Sequence, residues 1–366
     1  MNFDCNDKSD EFYCKTVRLD QREYKKHIPP FTKDEKASVK VGFRIESIGK
    51  IDEVEMTFDC KFLLNLKWYD FRLEYMHIYG YHRMLSRESA KEIWLPNLIM
   101  TNADGSPDVL ESDSYRVQIK MEEKPKLGGR NELHESQIFD GKENSLVWND
   151  VKDAKMNCQQ SLINYPFDTQ ECWIHLRVPN YKQSLVKIIP GFCQSTKEFN
   201  LMQFEVKELK IEAQGDNQVS CKITLKRNPS FHLVSTYLPT GTLMVVALAT
   251  LFIDESHLEV TLMVAITSML VMFTLHQNVQ SKVPYTAYLK FVDYWLIYGT
   301  LLPFIVFIVE VAWELGMGDK KNQNQVMDYS ADNPPPKNYF KIIPKCGLPL
   351  VTLIFTLIYI CIAIML

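Results

Sequence analysis

Seven residues within LEVTLMVAITSMLVMFTLHQNVQS have a spacing that suits chemistry at a membrane. Glu259, Met263, Thr267, Leu270, Thr274, Gln277 and Ser281 follow one another in steps of three or four, so a helix places them on one face. A carboxylate, hydroxyls and an amide along one stripe of an apolar helix are costly unless they face a cavity or a partner. Copies of this helix around a common axis would turn the stripe into rings of hydroxyl and amide groups lining water. Leu270, as the gate, and Met263 would form apolar constrictions that close by dewetting. Thr267 and Thr274 have a second possible use, as donors to carbonyls of their own helix. Gln277 and Glu259 on the same stripe favour the pore.

Glu259 stands at one mouth, where a ring of carboxylates would attract cations and repel anions. The competing reading is a solvated charge, since DESHLE holds three acids. His257 and His276, near the two mouths, titrate in the physiological range, although exposed histidines without a role are commoner.

The elements that must position this helix emerge from the uneven hydropathy of the chain. Over 366 residues the averages are those of a soluble protein: 46% hydrophobic, 23% charged, net charge -4 and mean hydropathy -0.16. A weak negative charge excludes a dominant basic nucleic-acid surface. Residues 1–227 are charge-rich with short alternating runs, whereas four long, almost uncharged stretches follow. A helix of about 20 apolar residues spans the hydrocarbon layer. Four transmembrane helices are therefore expected near 233–253, 258–281, 286–312 and 343–366; four buried core helices so close together are a poor alternative.

The first half reads as strands at 39–48, 54–70, 115–121, 204–213 and 219–227, with a short helix over 18–28 and a long charged loop over 122–145. This gives an extracellular all-β (immunoglobulin-like) sandwich followed by a four-helix transmembrane bundle. The expected division is an N-terminal arm (1–17), the sandwich (18–227), three transmembrane helices (228–313), a linker (314–342) holding Asn333-Pro334-Pro335-Pro336, and a last helix (343–366). MNFDCNDKSD has no apolar stretch, so the chain is expected to start at or near a processed or engineered terminus.

Cys158-QQSLINYPFDTQE-Cys172, with Tyr165-Pro166-Phe167-Asp168 inside, resembles the signature loop of the Cys-loop receptors, the pentameric ligand-gated ion channels. Other motifs stand in that family's order. Trp68-Tyr69-Asp70-Phe71-Arg72-Leu73 resembles its Trp-x-Asp-x-Arg-Leu. Trp94-Leu95-Pro96-Asn97, followed by Asn102, resembles its Trp-x-Pro-Asp with Asn for Asp. Arg227 precedes the first membrane segment, Pro239 lies within it, Ile266–Leu270 resembles the middle of the pore helix, and Asp293-Tyr294-Trp295 resembles the third-segment start. The resemblance, to an invertebrate-like member, covers about 18–313 and the last helix.

The resemblance implies a Cys158–Cys172 disulfide, worth about 3 kcal/mol through loop closure. Cysteine pairing places the first half, and with four crossings both termini, outside the plasma membrane. It implies a homopentamer or an assembly with homologous subunits, a lipid bilayer, permeant ions, a small extracellular ligand bound between subunits, and neither cofactor nor nucleic acid. The family's anion channels carry a Pro-Ala-Arg stretch that is absent here, which with Glu259 points to cation selectivity; the alternative is an anion-selective or non-conducting subunit that needs partners. Coupling should run through the loop Gly49–Val54, Phe167, Arg227 and the linker Ser281–Tyr285 with Pro284. Phe167→Ala should impair gating; normal currents with normal assembly would remove that role.

At the family's ligand positions the aromatic box is missing: Leu63 and Asn65, Thr101, and Pro179 with Tyr181 stand there, and the capping loop AQGDNQV has no aromatic residue. A quaternary amine needs aromatic faces. Asn65, Arg116, Arg177 and Tyr181 suit an acidic or polar ligand instead, and are equally compatible with plain interface surface. Cys5 and Cys14 would close an arm resembling half of a lipoprotein-receptor repeat, without enough cysteines for its calcium cage. Cys193 and Cys221 form a further candidate pair. The chain has no phosphate loop, nucleophile elbow or metal-spaced cluster, so an enzyme is not expected.

Overall fold

The computed structural model describes residues 5–6, 13–14, 17–19, 23–76, 84–85, 87–104, 116–122, 138–199, 201–253, 257–281, 283–324 and 339–366. Strand β1 (Ala37–Asp52) and strand β2 (Thr57–Trp68) form an antiparallel hairpin with Phe43 opposite Leu64. From Phe58 onward the period of two in β2 is strict. Phe58, Cys60, Phe62, Leu64, Leu66 and Trp68 are buried, while Asp59, Lys61, Leu63, Asn65 and Lys67 lie on the other face. That alternation decides which of its residues can meet another molecule.

The remaining strands are β3 (Ile99–Met100), β4 (Val117–Lys120), β5 (Ser145–Asn157), β6 (Thr169–Arg177), β7 (Val186–Ser195), β8 (Phe204–Gln214) and β9 (Gln218–Arg227). One sheet has the order β7-β1-β2-β5-β4, with β7 parallel to β1, and the other β8-β9-β6-β3. Phe43, Phe58, Phe62, Trp68, Trp94 and Trp148 fill one continuous core, Trp68 and Trp94 meeting edge to face at 6.3 Å. Each such side chain contributes roughly 1.5–3 kcal/mol by leaving water. Strands β5, β6 and β7 were not expected: acids and lysines interrupt the apolar pattern of β5, β6 begins inside the cysteine loop and runs on past Cys172, and Pro190-Gly191 breaks β7 at a bulge.

The motif around Trp68 is structural. Asp70 is fully buried and receives Arg72 Nε at 2.8 Å and Nη2 at 2.7 Å, while Tyr24 Oη donates to it at 3.1 Å and accepts from Trp94 N at 2.7 Å. Tyr24 is held there under the Arg72 guanidinium, 4.5 Å from its ring centroid. Its capture, with Pro29-Pro30, explains why 23–30 run as turns and not as the expected helix. Asn102 ties the sheets: its Nδ2 donates to Trp173 O of β6 at 2.6 Å and to Asn157 O of β5 at 3.2 Å, and its Oδ1 accepts from His175 N at 3.0 Å.

Below the sandwich run helices α1 (Ser230–Thr250), α2 (Leu258–Ser281), α3 (Phe291–Asn324) and α4 (Tyr339–Met365); the apolar spans are Ser230–Thr250, Leu258–Ser281, Phe291–Trp313 and Ile343–Met365. All four are long and apolar enough to cross a membrane. Pro239, which lacks an N–H, follows a π-helical segment, Leu233–Tyr237, that absorbs the missing bond. The third helix starts at Phe291, not at 286. The preceding segment is docked on the sandwich: Phe291 N donates to Ile163 O at 2.7 Å and Leu162 N to Tyr288 Oη at 3.1 Å. Asp293 Oδ2 then caps the start by accepting from Lys290 N at 2.9 Å. Of the linker expected over 314–342, residues 314–324 continue α3 and 339–342 open α4, while 325–338, like 123–137 of the expected long charged loop, lie outside the described residues.

Candidate functional site

Helix α2 presents two distinct faces. Thr261, Ala265, Ser268 and Met272 are buried against α1 and α3. All seven stripe residues, Glu259, Met263, Thr267, Leu270, Thr274, Gln277 and Ser281, are exposed, with Met263 at 67% and Leu270 at 64%. The hydroxyl protons are nonetheless used at home: Thr267 Oγ1 donates to Met263 O at 2.9 Å, Thr274 Oγ1 to Val271 O at 2.8 Å and Ser281 Oγ to Asn278 O at 2.9 Å. Both readings of these hydroxyls hold together, because each oxygen keeps a lone pair for the open face. Val260, Ile266, Val271 and Phe273 are also exposed and flank the stripe with apolar surface. His276 is half-buried and meets Gln280 at 3.0 Å, while His257 is exposed.

The seven positions considered for a ligand fall into two groups on different sheets. Leu63 and Asn65 lie on the outward face of β2, facing Val151 and Asn149 of β5, and Asn65 Nδ2 donates to Asn149 Oδ1 at 2.6 Å. Arg116 is exposed beside edge strand β4. On the other sheet Thr101 is exposed and donates its N–H to His175 O at 3.1 Å. Arg177 is half-buried at the end of β6, its Nε buried without a hydrogen-bond partner. Tyr181 is 72% exposed. Pro179 is buried and shapes the turn Asn180–Lys182 through its carbonyl, so it presents no surface to a ligand. Within one chain the two groups stay on different sheets.

The capping hairpin is a three-residue turn, Gly215–Asn217, between β8 and β9, with Gly215 at φ 69°. Asp216 anchors it to the start of β7, with Lys187 at 3.2 Å and its carbonyl accepting from Ile188 N at 2.7 Å. His175 Nδ1 lies 2.7 Å from Ser220 Oγ, and burial lowers the His175 pKa. Beside the other group, Glu122 takes hydrogen bonds from Lys67 Nζ and Tyr69 Oη, both at 2.6 Å, which hold its pKa down to about 2.

At the junction of the halves, Cys158 and Cys172 are bonded, with Cα atoms 5.0 Å apart. The loop they close places the half-buried Phe167 between Tyr237 of α1 and Phe291 of α3, at ring distances of 6.3 and 6.0 Å. Arg227 is 3% exposed and donates to Asp168 through Nε at 2.6 Å and Nη2 at 3.1 Å, and to Glu53 through Nη1. Its guanidinium also sits between the Tyr165 and Phe204 rings, at 4.8 and 4.5 Å. Burial holds the Glu53 carboxyl above its usual range, with the Arg227 charge acting the other way. Val283 is buried in the same cluster as Tyr165 and Leu162, and Pro284 is half-buried. From sequence, Asp168 stood only within the cysteine-loop motif and Glu53 only within the coupling loop Gly49–Val54, neither paired with Arg227; the pairing follows from the burial of that arginine, since such a charge requires carboxylates. Cys193 and Cys221 are bonded, and Cys60 is a free, buried thiol. Cys5 and Cys14 face each other across a two-residue strand pair, but their side chains lie outside the described residues.

Residues 15–229 match the family model of the neurotransmitter-gated ion-channel ligand binding domain. A glutamate-gated chloride channel subunit beta of Haemonchus contortus is 24% identical over 293 residues, covering 73% of this chain and 62% of that protein. A serotonin-gated chloride channel of Caenorhabditis elegans is 23% identical over 295 residues (75% and 56%), and a gamma-aminobutyric acid receptor subunit beta of Lymnaea stagnalis is 24% identical over 284 (71% and 53%). The matches thus span a little over half the length of these relatives. The sandwich with its bonded loop, the arginine cluster beneath it and the four apolar helices agree with that match: the chain belongs to the neurotransmitter-gated ion-channel family.

Proposed function

We propose that this chain is a subunit of a pentameric channel, opened by a small extracellular ligand bound between subunits, with α2 lining the pore. The observation that carries the reading is the division of α2 into a face buried in its own bundle and a stripe of Glu259, Met263, Thr267, Leu270, Thr274, Gln277 and Ser281 turned away from it. The ligand site joins Thr101, Arg177 and Tyr181 of one subunit to Leu63, Asn65 and Arg116 of the next. The unpartnered Arg177 Nε, the amides and the scarcity of aromatic faces favour an acidic or polar ligand over a quaternary amine. Both termini face outward, and the chain is a channel subunit, not an enzyme.

For the permeant ion, the names of two relatives as chloride channels support an anion-selective pore or subunit, against the cation selectivity expected from sequence. Glu259, exposed in the first turn of α2, favours the cation reading. Two-electrode voltage clamp of oocytes expressing the chain decides this, with glutamate, gamma-aminobutyric acid and serotonin as probes. An anion pore shifts its reversal potential with external chloride and ignores sodium replacement. A cation pore does the reverse, and Glu259→Ala then weakens the preference. Surface pentamers silent to every probe would favour a subunit that needs partners.

A further inference from the structure

Glu310 is an ionisable side chain of the bundle that neither the pore stripe nor the junction uses. It lies 19 residues beyond Phe291 on α3, hence roughly 28 Å along the helix from its sandwich end. Only 3% of it is exposed, and Oε1 and Oε2 are both buried without a hydrogen-bond partner. An ionisable group so placed in a membrane helix is expensive and marks function more often than packing.

Its surroundings define what it can bind. The side chains that approach the carboxyl are Thr250, the last residue of α1, and Thr261, in α2. Their protons are already committed, Thr250 Oγ1 donating to Ala247 O at 2.7 Å and Thr261 Oγ1 to Leu258 O at 2.8 Å. Three helices therefore converge on this carboxyl through hydroxyls whose protons serve their own backbones. No cation compensates them among the described residues. Leu251–Ile253 at the end of α1 are uncharged, and His257 and Glu259 at the start of α2 are exposed. Lys345 of α4 lies over the Trp313 ring, 5.7 Å from its centroid and about one turn further along α3. The side chain of Glu314 and residues 254–256 are outside the described set. To answer an ionised carboxylate here, the Thr250 and Thr261 hydroxyls would have to turn their protons away from the helix carbonyls they now serve, whereas a carboxylic acid carries its own.

We propose that Glu310 is a proton-binding site at the meeting of three helices. A proton taken from water at this end of the bundle sits on one carboxyl oxygen and is donated to the Thr250 or Thr261 hydroxyl oxygen, fastening the end of α2 to α1 and α3. Loss of the proton leaves a bare charge, so this end of α2 must then admit water or shift. The consequence for conduction rests on α2 lining the pore; the proton site does not.

Infrared spectroscopy of the full chain in lipid nanodiscs tests the site without ligand or current, so a silent channel leaves the test intact. At neutral pH the wild type should show the carbonyl stretch of a protonated carboxylic acid, one per subunit, which is missing in Glu310→Gln and bleaches reversibly in alkali. Thr250→Val or Thr261→Val should move the band, because the acid loses an acceptor; a merely structural glutamate would not respond. Should Glu310→Gln fail to assemble, the two threonine variants of glutamate-labelled protein carry the same test. A wild-type spectrum with carboxylate stretches alone, or a band that neither threonine variant moves, would overturn the proposal.

Discussion

Arg227 concentrates the energetics of the junction in one side chain. It is buried, fills its donor sites on Asp168 and Glu53, and is sandwiched by two aromatic rings. Arg227→Ala strands two carboxylates, a loss of about 3–5 kcal/mol for breaking a buried pair. Thermal unfolding of the purified protein should show a large destabilisation, partly recovered by adding Asp168→Asn; an unchanged midpoint would remove the cluster from the account. Glu122 gives the pH dependence at this scale. Hydrogen bonds from Lys67 and Tyr69 lower its pKa from 4.5 to about 2, so its contribution to stability is present above 4.5 and is lost as pH falls towards 2. Stability measured across that acid window should fall less steeply in Glu122→Gln than in the wild type. Equal slopes would exclude the contribution. Glu53 runs the opposite way: burial raises its pKa, so acid does not release the junction through that group.

At the scale of elements, the helices were legible because the bilayer demands a length and composition that few other structures need. The strands were legible where one face is wet and the other dry, as in β2. They were hidden where polar residues enter both faces, as in β5. The start of α3 was misplaced because the mostly apolar run from Tyr285 looks helical, yet Tyr288 accepts from Leu162, and Phe291 and Val292 are held to Ile163 and Tyr165 of the sandwich, by bonds no local pattern reveals. The pore stripe was readable from its three-and-four spacing, while the back-bonding of Thr267 and Thr274 needed coordinates. The ligand positions came only through resemblance. Burial removes Pro179 from that set, and the sheets divide the rest between two surfaces. Cysteine scanning of α2 checks its two faces: positions 259, 263, 267, 270, 274, 277 and 281 should react with water-soluble thiol reagents in the assembled protein, and positions 261, 265, 268 and 272 should not. Reaction without periodicity would contradict the assignment.

For the whole molecule, the incomplete surfaces of one subunit argue for its assembly. The exposed α2 face carries polar groups that lipid cannot satisfy, and the two proposed ligand half-sites sit on different sheets. A ring of identical subunits resolves both, since a rotation axis brings each stripe to the centre and each half-site to its complement. The central claim is that α2 faces a five-fold axis. Cryo-electron microscopy of the full chain in lipid nanodiscs tests it without a known ligand. Five subunits with Leu270 and Glu259 directed at the axis, and Arg177 of each facing Asn65 of the next, is the predicted result; another stoichiometry, or an α2 stripe turned towards lipid, would contradict it.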